Sequence, residues 1–568
     1  MKKYLYFGLL AALLVGITIR LLPLFNCSIW GSDTGEYYEL TKRLVEKGSF
    51  SFDYEGWGIA YPYFPGLFSL IGSESLILSS NLLTTLLITI PTLSALSVIL
   101  VFIITYEIFK SAKAGLVSAA LLSIAIPHVF TTSHAMPGAL GDFLLILAIL
   151  LFIKSYQSRK FLALFFLTTI ALIIAHNLSS YFLLITLILF VFLRELLSIK
   201  INVKELRFEL PAIVFLFLAT VTHWLYVAGP FREVIKEAFN LAPEILILFA
   251  LIIFGFMALF VKLRRKLFVK EYFPKTPSYK RTLVTYSLGL IIGFGVVLIS
   301  VFVKFPATTI QIDKIAILLF TPSIILFCFA VFSTAFARHY KNGFFLFSWL
   351  FAIALSFLLG VATDNKVIIP YRHLQYLVVP FVIFAGFGIL KFIELAKRKK
   401  IARIFIVSSF AIMLMLSPFS CYPPKNVLGG FEEGTPTEDI NSLVWAKEYL
   451  AQETVASDHR LSSMLFVHSK CKCTWELAPG VFHATNFSAC EKELLNATIP
   501  AGNFRIDYVI LDEVIKQGVC LKQWEIALPM SKESLEKFAH KPFIKIYDDG
   551  FAQVYMICWN EVLLESNL

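Results

Sequence analysis

Runs of about 20 apolar residues, each long enough to cross a bilayer as a helix, recur from the start of this chain to about residue 419. Thirteen are legible, near 4–25, 78–109, 112–132, 137–156, 160–176, 177–196, 208–228, 243–263, 283–303, 313–336, 343–361, 374–396 and 401–419. The fifth and sixth meet at Ala175-His176-Asn177, so twelve or fourteen spans stay open. Backbone polar groups in hydrocarbon must pair within their own segment, and long apolar runs satisfy this as helices. The expected architecture is therefore mainly α, a polytopic helix bundle. Of the 568 residues 58% are hydrophobic and 16% charged, against about 25% charged in soluble domains. The first run carries Lys2 and Lys3 but lacks a small-residue cleavage site, and Arg20 interrupts it, so it reads as a span.

The net charge of +11 does not point to nucleic acid. Residues 420–568 hold 13 Lys and Arg against 20 Asp and Glu, which leaves 37 against 19 for residues 1–419. Lys and Arg concentrate on the cytoplasmic side of membrane proteins. With the N-terminus inside, inner loops hold 26 of the 37 basic residues, including eight in Lys262–Arg281 and the cluster Lys397–Lys400. An odd number of spans then places residues 420–568 outside. This gives a membrane domain, 1–419, with a first outer loop at 26–75, and an extracytoplasmic domain, 420–568. The outer part reads as mixed α/β: a helix over Thr437–Tyr449, a strand at Tyr508–Leu511, and a hairpin, Phe543–Tyr547 with Phe551–Ile557, turning at Asp549-Gly550. Cys421, Cys471, Cys473, Cys490, Cys520 and Cys558 suggest disulfides there.

Polar groups in or beside membrane spans are costly and are functional candidates. On the outer side they gather. The first outer loop carries Trp30, Asp33, Glu36, Tyr37 and Tyr38, then an amphipathic stretch, then Tyr61-Pro-Tyr63. Asp33-x-x-Glu36 also has the spacing of a helix capping box. The next outer turns hold His134, Pro137-Gly138, Asp142 and His176, and the loop near 362–373 holds Thr363-Asp364-Asn365-Lys366 and Tyr371-Arg372-His373. A carboxylate to handle an acceptor proton and a cation to offset a leaving phosphate are what sugar transfer from a lipid-phosphate carrier requires. Tyr61 and Tyr63 are candidates to line a sugar pocket.

Arg20-Leu-Leu-Pro23-Leu-Phe followed by Gly31-Ser-Asp33-x-x-x-Tyr37-Tyr38 resembles the start of membrane glycosyltransferases of the GT-C superfamily. The layout is most similar to the archaeal oligosaccharyltransferase catalytic subunit. The resemblance implies thirteen spans, an outer α/β domain, and a polyprenyl- or dolichyl-phosphate-linked sugar donor among the membrane lipids. The acceptor would be a protein, glycan or lipid. It further implies Asp33 as the first-loop catalytic acid and Asp142 as the second acid, either one a ligand for Mn²⁺ or Mg²⁺. Arg372, with His373, would face the carrier phosphate, and Glu36, His134 and His176 would complete the substrate surface. Two features depart from the family. The loop Lys304–Lys314 is short, and Asp458-His459-Arg460 stands where a tryptophan-rich sequon-reading motif should fall. The departures favour a transferase whose acceptor need not be asparagine. The alternatives are an oligosaccharyltransferase acting on sequons and a lipid or sugar flippase.

Overall fold

The computed structural model describes residues 3–197, 203–267, scattered positions from 284 to 304, then 316–337, 340, 342–363, 367–395, 400–422, 433–499, 502–518 and 528–560. The apolar segment near 283–303 is described at scattered positions only. Most of Lys304–Lys314, the stretch from Asp364 to Lys366, most of the Lys397–Lys400 cluster, and Cys520 lie outside the described residues.

Helices stand at the twelve other apolar segments, from Lys3–Leu21 to Lys400–Cys421. Among the described residues, eight helices are long and apolar enough to cross a membrane, nine if a bent pair forms one span. That pair, Ala112–Ser123 and Ile126–Thr132, breaks by 59°. Pro127 lies in the first turn of the second piece. Proline cannot continue the preceding hydrogen-bond ladder, and it suits a first turn, where its missing N–H is not needed. The protein is thus a multi-pass membrane helix bundle. Its core includes Ile149, Phe182, Trp349 and Phe384, all buried. Ala385-Gly386-x-Gly388 allows close helix approach: a Cβ on Gly386 would lie 2.2 Å from Ser118 Oγ, and one on Gly388 would lie 2.3 Å from Phe329 O.

The outer part has its own core around Val455, Leu465, Val509 and Val554. A five-stranded mixed sheet runs in the order Lys472–Cys473, Thr454–Ala456, Tyr508–Asp512, Ala552–Ile557, Phe543–Asp548. The first three strands are parallel, and the last two join antiparallel. The anticipated helix appears as Asp439–Tyr449, and the strand and hairpin fall where the alternation places them. Asp549 Oδ1 accepts from the N–H groups of Phe551 and Ala552, which fixes the turn ahead of Gly550 at φ +90°.

The disulfide expectation is corrected among the described residues. Cys421, Cys471, Cys473, Cys490 and Cys558 are free thiols. Cys421, Cys471, Cys473 and Cys490 are buried apolar fillers, and Cys471 Sγ lies 3.0 Å from Leu450 O. Small buried thiols pack as hydrophobes without needing a partner.

Two parts of the chain far apart in sequence are stitched together where the C-terminal region meets the loop after the first helix. Ile29–Trp30 pairs antiparallel with Gly434–Thr435. The interfacial helix Thr34–Lys47 lies against the helix His459–Ser469. Gly35 permits that contact, since a Cβ there would lie 2.4 Å from the carbonyl oxygen of Ser463. Lys470 reaches Glu39 Oε1 across the same seam, and Arg43, one turn along the same helix as Glu39, bonds to that oxygen too.

Candidate functional site

The path into the site is set by a turn. Gly31, at φ +112°, takes its N–H to Glu433 O, and Thr34 Oγ1 donates to Trp30 O. A non-glycine residue would be strained at that φ. The turn places Asp33 at the N-cap of Thr34–Lys47, but its side chain makes no capping bond. The capping-box reading is corrected: both carboxylates turn away from the helix end to other partners.

Asp33 Oδ1 lies 2.7 Å from His459 Nε2. Its Oδ2 accepts from the hydroxyls of Tyr37 and Tyr61, each at 3.2 Å. The Asp33 side chain remains 31% exposed, so an incoming group can still reach it. Glu36, fully buried, accepts from Tyr54 Oη at 2.7 Å and from the N–H groups of Trp57 and Gly58. The His459 ring meets Trp57 and Trp475 edge-on, with centroids at 5.3 and 5.2 Å, and its Nδ1 lies 3.8 Å from Glu476 Oε2.

The charges follow from these contacts. Burial pushes the Asp33 carboxyl up, but the His459 hydrogen bond and charge and the two tyrosine hydroxyls hold it below the usual value. Burial pushes the His459 imidazole down, yet Asp33, then Glu476 and Glu36, carry it up to about 9. At neutral pH the pair is an imidazolium and a carboxylate, and Nε2–H donates. Burial, then the Asp33 charge, pushes Glu36 up to about 7, against the opposing pull of Tyr54 and His459.

Arg372 opens the helical end Pro370–Leu395. Its side chain is exposed, with the guanidinium 5.9 Å from the Tyr371 ring centroid. Its charge acts on Tyr61, whose hydroxyl bonds to Asp33, and on His176. His373, one residue on, turns the other way. It is fully buried, with Nε2 at 2.8 Å from Ser356 Oγ and Nδ1 at 3.0 Å from Ile369 O, so both ring nitrogens are engaged inside the bundle.

His176 Nδ1 lies 2.8 Å from Ser179 Oγ, and a Cβ on Gly141 would lie 2.6 Å from His176 Cβ, so His176 backs the same helix as Asp142. His134 donates from Nδ1 to Phe130 O at 2.8 Å, stacks at 5.1 Å on Trp30, and keeps Nε2 at 3.8 Å from Glu433. Tyr63 lies against Phe52, at 4.8 Å, while Tyr61 is the tyrosine of its turn that reaches Asp33.

Asp142 sits inside the helix Pro137–Ser155, whose N-cap is Met136. Asp142 Oδ2 is 2.7 Å from His128 Nε2, and His128 Nδ1 is 2.8 Å from an Arg20 Nη. Arg20 also donates to Thr132 Oγ1 and Gly16 O, and Arg20, His128 and Asp142 are all fully buried. Arg20 interrupts its span because it belongs to this chain of contacts.

The structure therefore brings together Asp33, Glu36, Tyr61 and Arg372 of the anticipated residues, and it ties His373 into the bundle. The largest omission was His459. Its signal was present in the sequence, since Asp458-His459-Arg460 replaces an expected motif, but only the fold shows that the imidazole meets Asp33. The donor set does not suit Mn²⁺ or Mg²⁺, which take several oxygen ligands. Both Asp33 oxygens are already engaged by N–H and O–H donors and Asp142 Oδ2 by His128. Among the described residues no three His, Cys, Asp or Glu side chains are grouped to hold a metal ion.

The fold is shared with solved membrane oligosaccharyltransferases. Archaeoglobus fulgidus oligosaccharyltransferase tethered to an acceptor peptide with an NVT sequon superposes with a TM-score of 0.58 at 14% identity, covering 99% of this chain and 75% of that one. The archaeal oligosaccharyltransferase AglB from the same organism, in complex with an inhibitory peptide and a dolichol-phosphate, superposes at 0.57 and 14% identity, covering 98% and 75%. The mycobacterial arabinofuranosyltransferase AftD gives 0.46 at 12% identity, covering 98% of this chain and 40% of that one. No protein-family model and no curated protein sequence matches the chain.

Proposed function

We propose that this protein is a glycosyltransferase that moves a sugar from a polyprenyl- or dolichyl-phosphate carrier to a hydroxyl acceptor at the outer membrane face. The observation that carries this reading is the Asp33 carboxylate. It is ionised, partly exposed and braced by Tyr37, Tyr61 and His459, and the Arg372 charge acts on one of these braces, Tyr61.

The acceptor O–H hydrogen-bonds to Asp33 and passes its proton to that carboxylate as its oxygen bonds to the anomeric carbon. The bond from that carbon to the carrier phosphate breaks, and its electron pair stays on the phosphate oxygen. Arg372 offsets the charge gathering there. A single displacement of this kind inverts the anomeric centre. Asp142 supports the site from behind through His128 rather than by touching the reacting atoms. The N-terminus lies in the cytoplasm and residues 420–568 outside, which puts Asp33 and Arg372 on the side where the sugar of a translocated lipid carrier is presented.

The test uses purified protein in detergent with radiolabelled lipid-phosphate sugars. Wild type should release label to an acceptor, and Asp33→Ala should lower that rate by about a thousandfold, within the range of general-base contributions, while inserting and folding normally. Full activity in Asp33→Ala refutes the assignment. The fold likeness supports a second reading, transfer to asparagine sequons. A sequon peptide glycosylated as fast as hydroxyl acceptors favours that reading instead.

A further inference from the structure

We propose that His459, contributed by the outer domain, takes the place at Asp33 that a divalent cation would occupy, so that transfer proceeds without a metal and the catalytic site is incomplete until the outer domain has docked. The proposal rests on the glycosyltransferase reading and specifies how the charge of Asp33 is managed within it.

The first support is occupancy. Asp33 Oδ1 is taken by His459 Nε2 at 2.7 Å and Oδ2 by two tyrosine hydroxyls at 3.2 Å. The one lone pair left on Oδ1 lies beside the His459 imidazolium, which repels a second cation and leaves that position to the acceptor O–H. Of the other acids, Glu36 is committed to Tyr54 and two backbone N–H groups, and Asp142 is fully buried with Oδ2 on His128.

The second support is rigidity. His459 opens the helix His459–Ser469, whose N-cap Asp458 accepts from Leu461 N at 2.8 Å. The next residue, Arg460, is fully buried and bonds to Asp439 and Asp512, with Asp458 Oδ2 at 3.3 Å from its Nε. Three carboxylates around one guanidinium clamp the backbone on either side of His459. Trp57 and Trp475 wall its ring, and Trp57 comes from the first outer loop itself. A side chain held on both faces and at both backbone flanks is a fixed group rather than one that swings aside to admit an ion.

The third support is register. Ile29–Trp30 pairs with Gly434–Thr435, and Gly35 lets the two helices touch at the Ser463 carbonyl. Both contacts lie within six residues of Asp33, so the outer domain is aligned on that carboxylate.

The experiment compares full-length wild type, His459→Ala and His459→Gln in detergent, with lipid-phosphate sugar donors. Wild-type transfer should change less than about twofold with EDTA or with added Mn²⁺. His459→Ala should lose about a hundredfold in kcat, the range expected for a lost transition-state charge partner, and free imidazole should restore at least tenfold. His459→Gln, which keeps an N–H donor without the charge, should fall between them. EDTA that abolishes wild-type transfer, with Mn²⁺ restoring it, overturns the proposal. So does a folded His459→Ala that retains full activity, or one that is inactive and unmoved by imidazole. If the variants do not fold, Mn²⁺ binding to wild type decides by electron paramagnetic resonance. No bound ion that depends on Asp33 is expected, and a bound ion lost in Asp33→Ala overturns the proposal. Failure of wild type to use any lipid-phosphate sugar overturns the glycosyltransferase reading instead, and Mn²⁺ binding still tests the role of His459.

Discussion

His459 Nε2 and Asp33 Oδ1 stand 2.7 Å apart, although 426 residues separate them and they belong to the outer domain and the first outer loop. The contact is an ion pair, and its contribution depends on both partners staying charged. A histidine in an unfolded chain titrates near pH 6.5, while His459 here titrates at about 9. Its contribution to stability is therefore fully present below about pH 6.5 and is lost as pH rises through 9. Asp33 is held below its ordinary value, so its share is present above the unfolded carboxylate range and is lost as pH falls through the folded value.

His459→Ala should accordingly lower stability at pH 7 by about 1.5–3 kcal/mol, the scale of a hydrogen bond between charged groups. The gap between wild type and variant should close by pH 10. Thermal unfolding in detergent at pH 5, 7, 9 and 10 measures it. A gap that stays constant from pH 7 to 10 would show that the ring contributes packing and no charge.

Gly35 tests the docking seam separately from its charges. A methyl group there would lie 2.4 Å from the Ser463 carbonyl oxygen, and backbone cannot yield as a side-chain tip can. Gly35→Ala should cost about 1–3 kcal/mol, as overpacking does, and move Asp33 away from His459. Transfer should fall at least tenfold with membrane insertion intact. Unchanged activity would mean that the two helices can separate without disturbing the site.

Legibility in the sequence followed the range of the physics involved. Span placement depends on local hydrophobicity, so apolar runs such as 137–156 and 343–361 match Pro137–Ser155 and Gly343–Thr363 closely. The hairpin at Asp549-Gly550 was equally plain, because turn chemistry is local. Asp33 and Arg372 could be proposed from their side of the membrane. Whether Glu36 caps a helix or binds Tyr54 is decided by a loop that folds back 18 residues later, and spacing cannot foresee that. His459 was less accessible still. Its role depends on a sheet register between Ile29–Trp30 and Gly434–Thr435, and only the folded chain supplies that. The disulfide expectation failed for a related reason: cysteine count reports on compartment, whereas pairing depends on three-dimensional approach.

Arg20 and Asp142 are buried opposite charges joined through the His128 ring, which accepts from the Arg20 guanidinium at Nδ1 and donates from Nε2 to Asp142. Removing one member leaves an uncompensated charge away from water, which costs about 3–5 kcal/mol. Arg20→Leu should therefore destabilise strongly, and the double variant Arg20→Leu, Asp142→Asn should be less destabilised than the sum of the singles. A double-mutant cycle by thermal unfolding measures this coupling. Additive losses would show that the contacts do not act as one unit.

Tyr61 isolates one donor to Asp33 without altering the fold. Its hydroxyl and that of Tyr37 both stabilise the ionised carboxylate, so removing one raises the pH at which Asp33 picks up a proton. In the proposed mechanism the protonated acid cannot take the acceptor proton. Tyr61→Phe should then cost about five- to tenfold in kcat at pH 7.5, near the value of one hydrogen bond to a charged group. The loss should grow as pH falls towards 5, because the acidic limb of the rate profile moves up. Tyr63→Phe, one turn position away and packed on Phe52, should leave both the rate and the limb in place. If Tyr61→Phe lowers the rate equally at all pH values, the hydroxyl acts on the substrate rather than on Asp33. The acidic limb would then have to be assigned to another group, with Glu36, pushed up to about 7 by burial and by the Asp33 charge, the first to test.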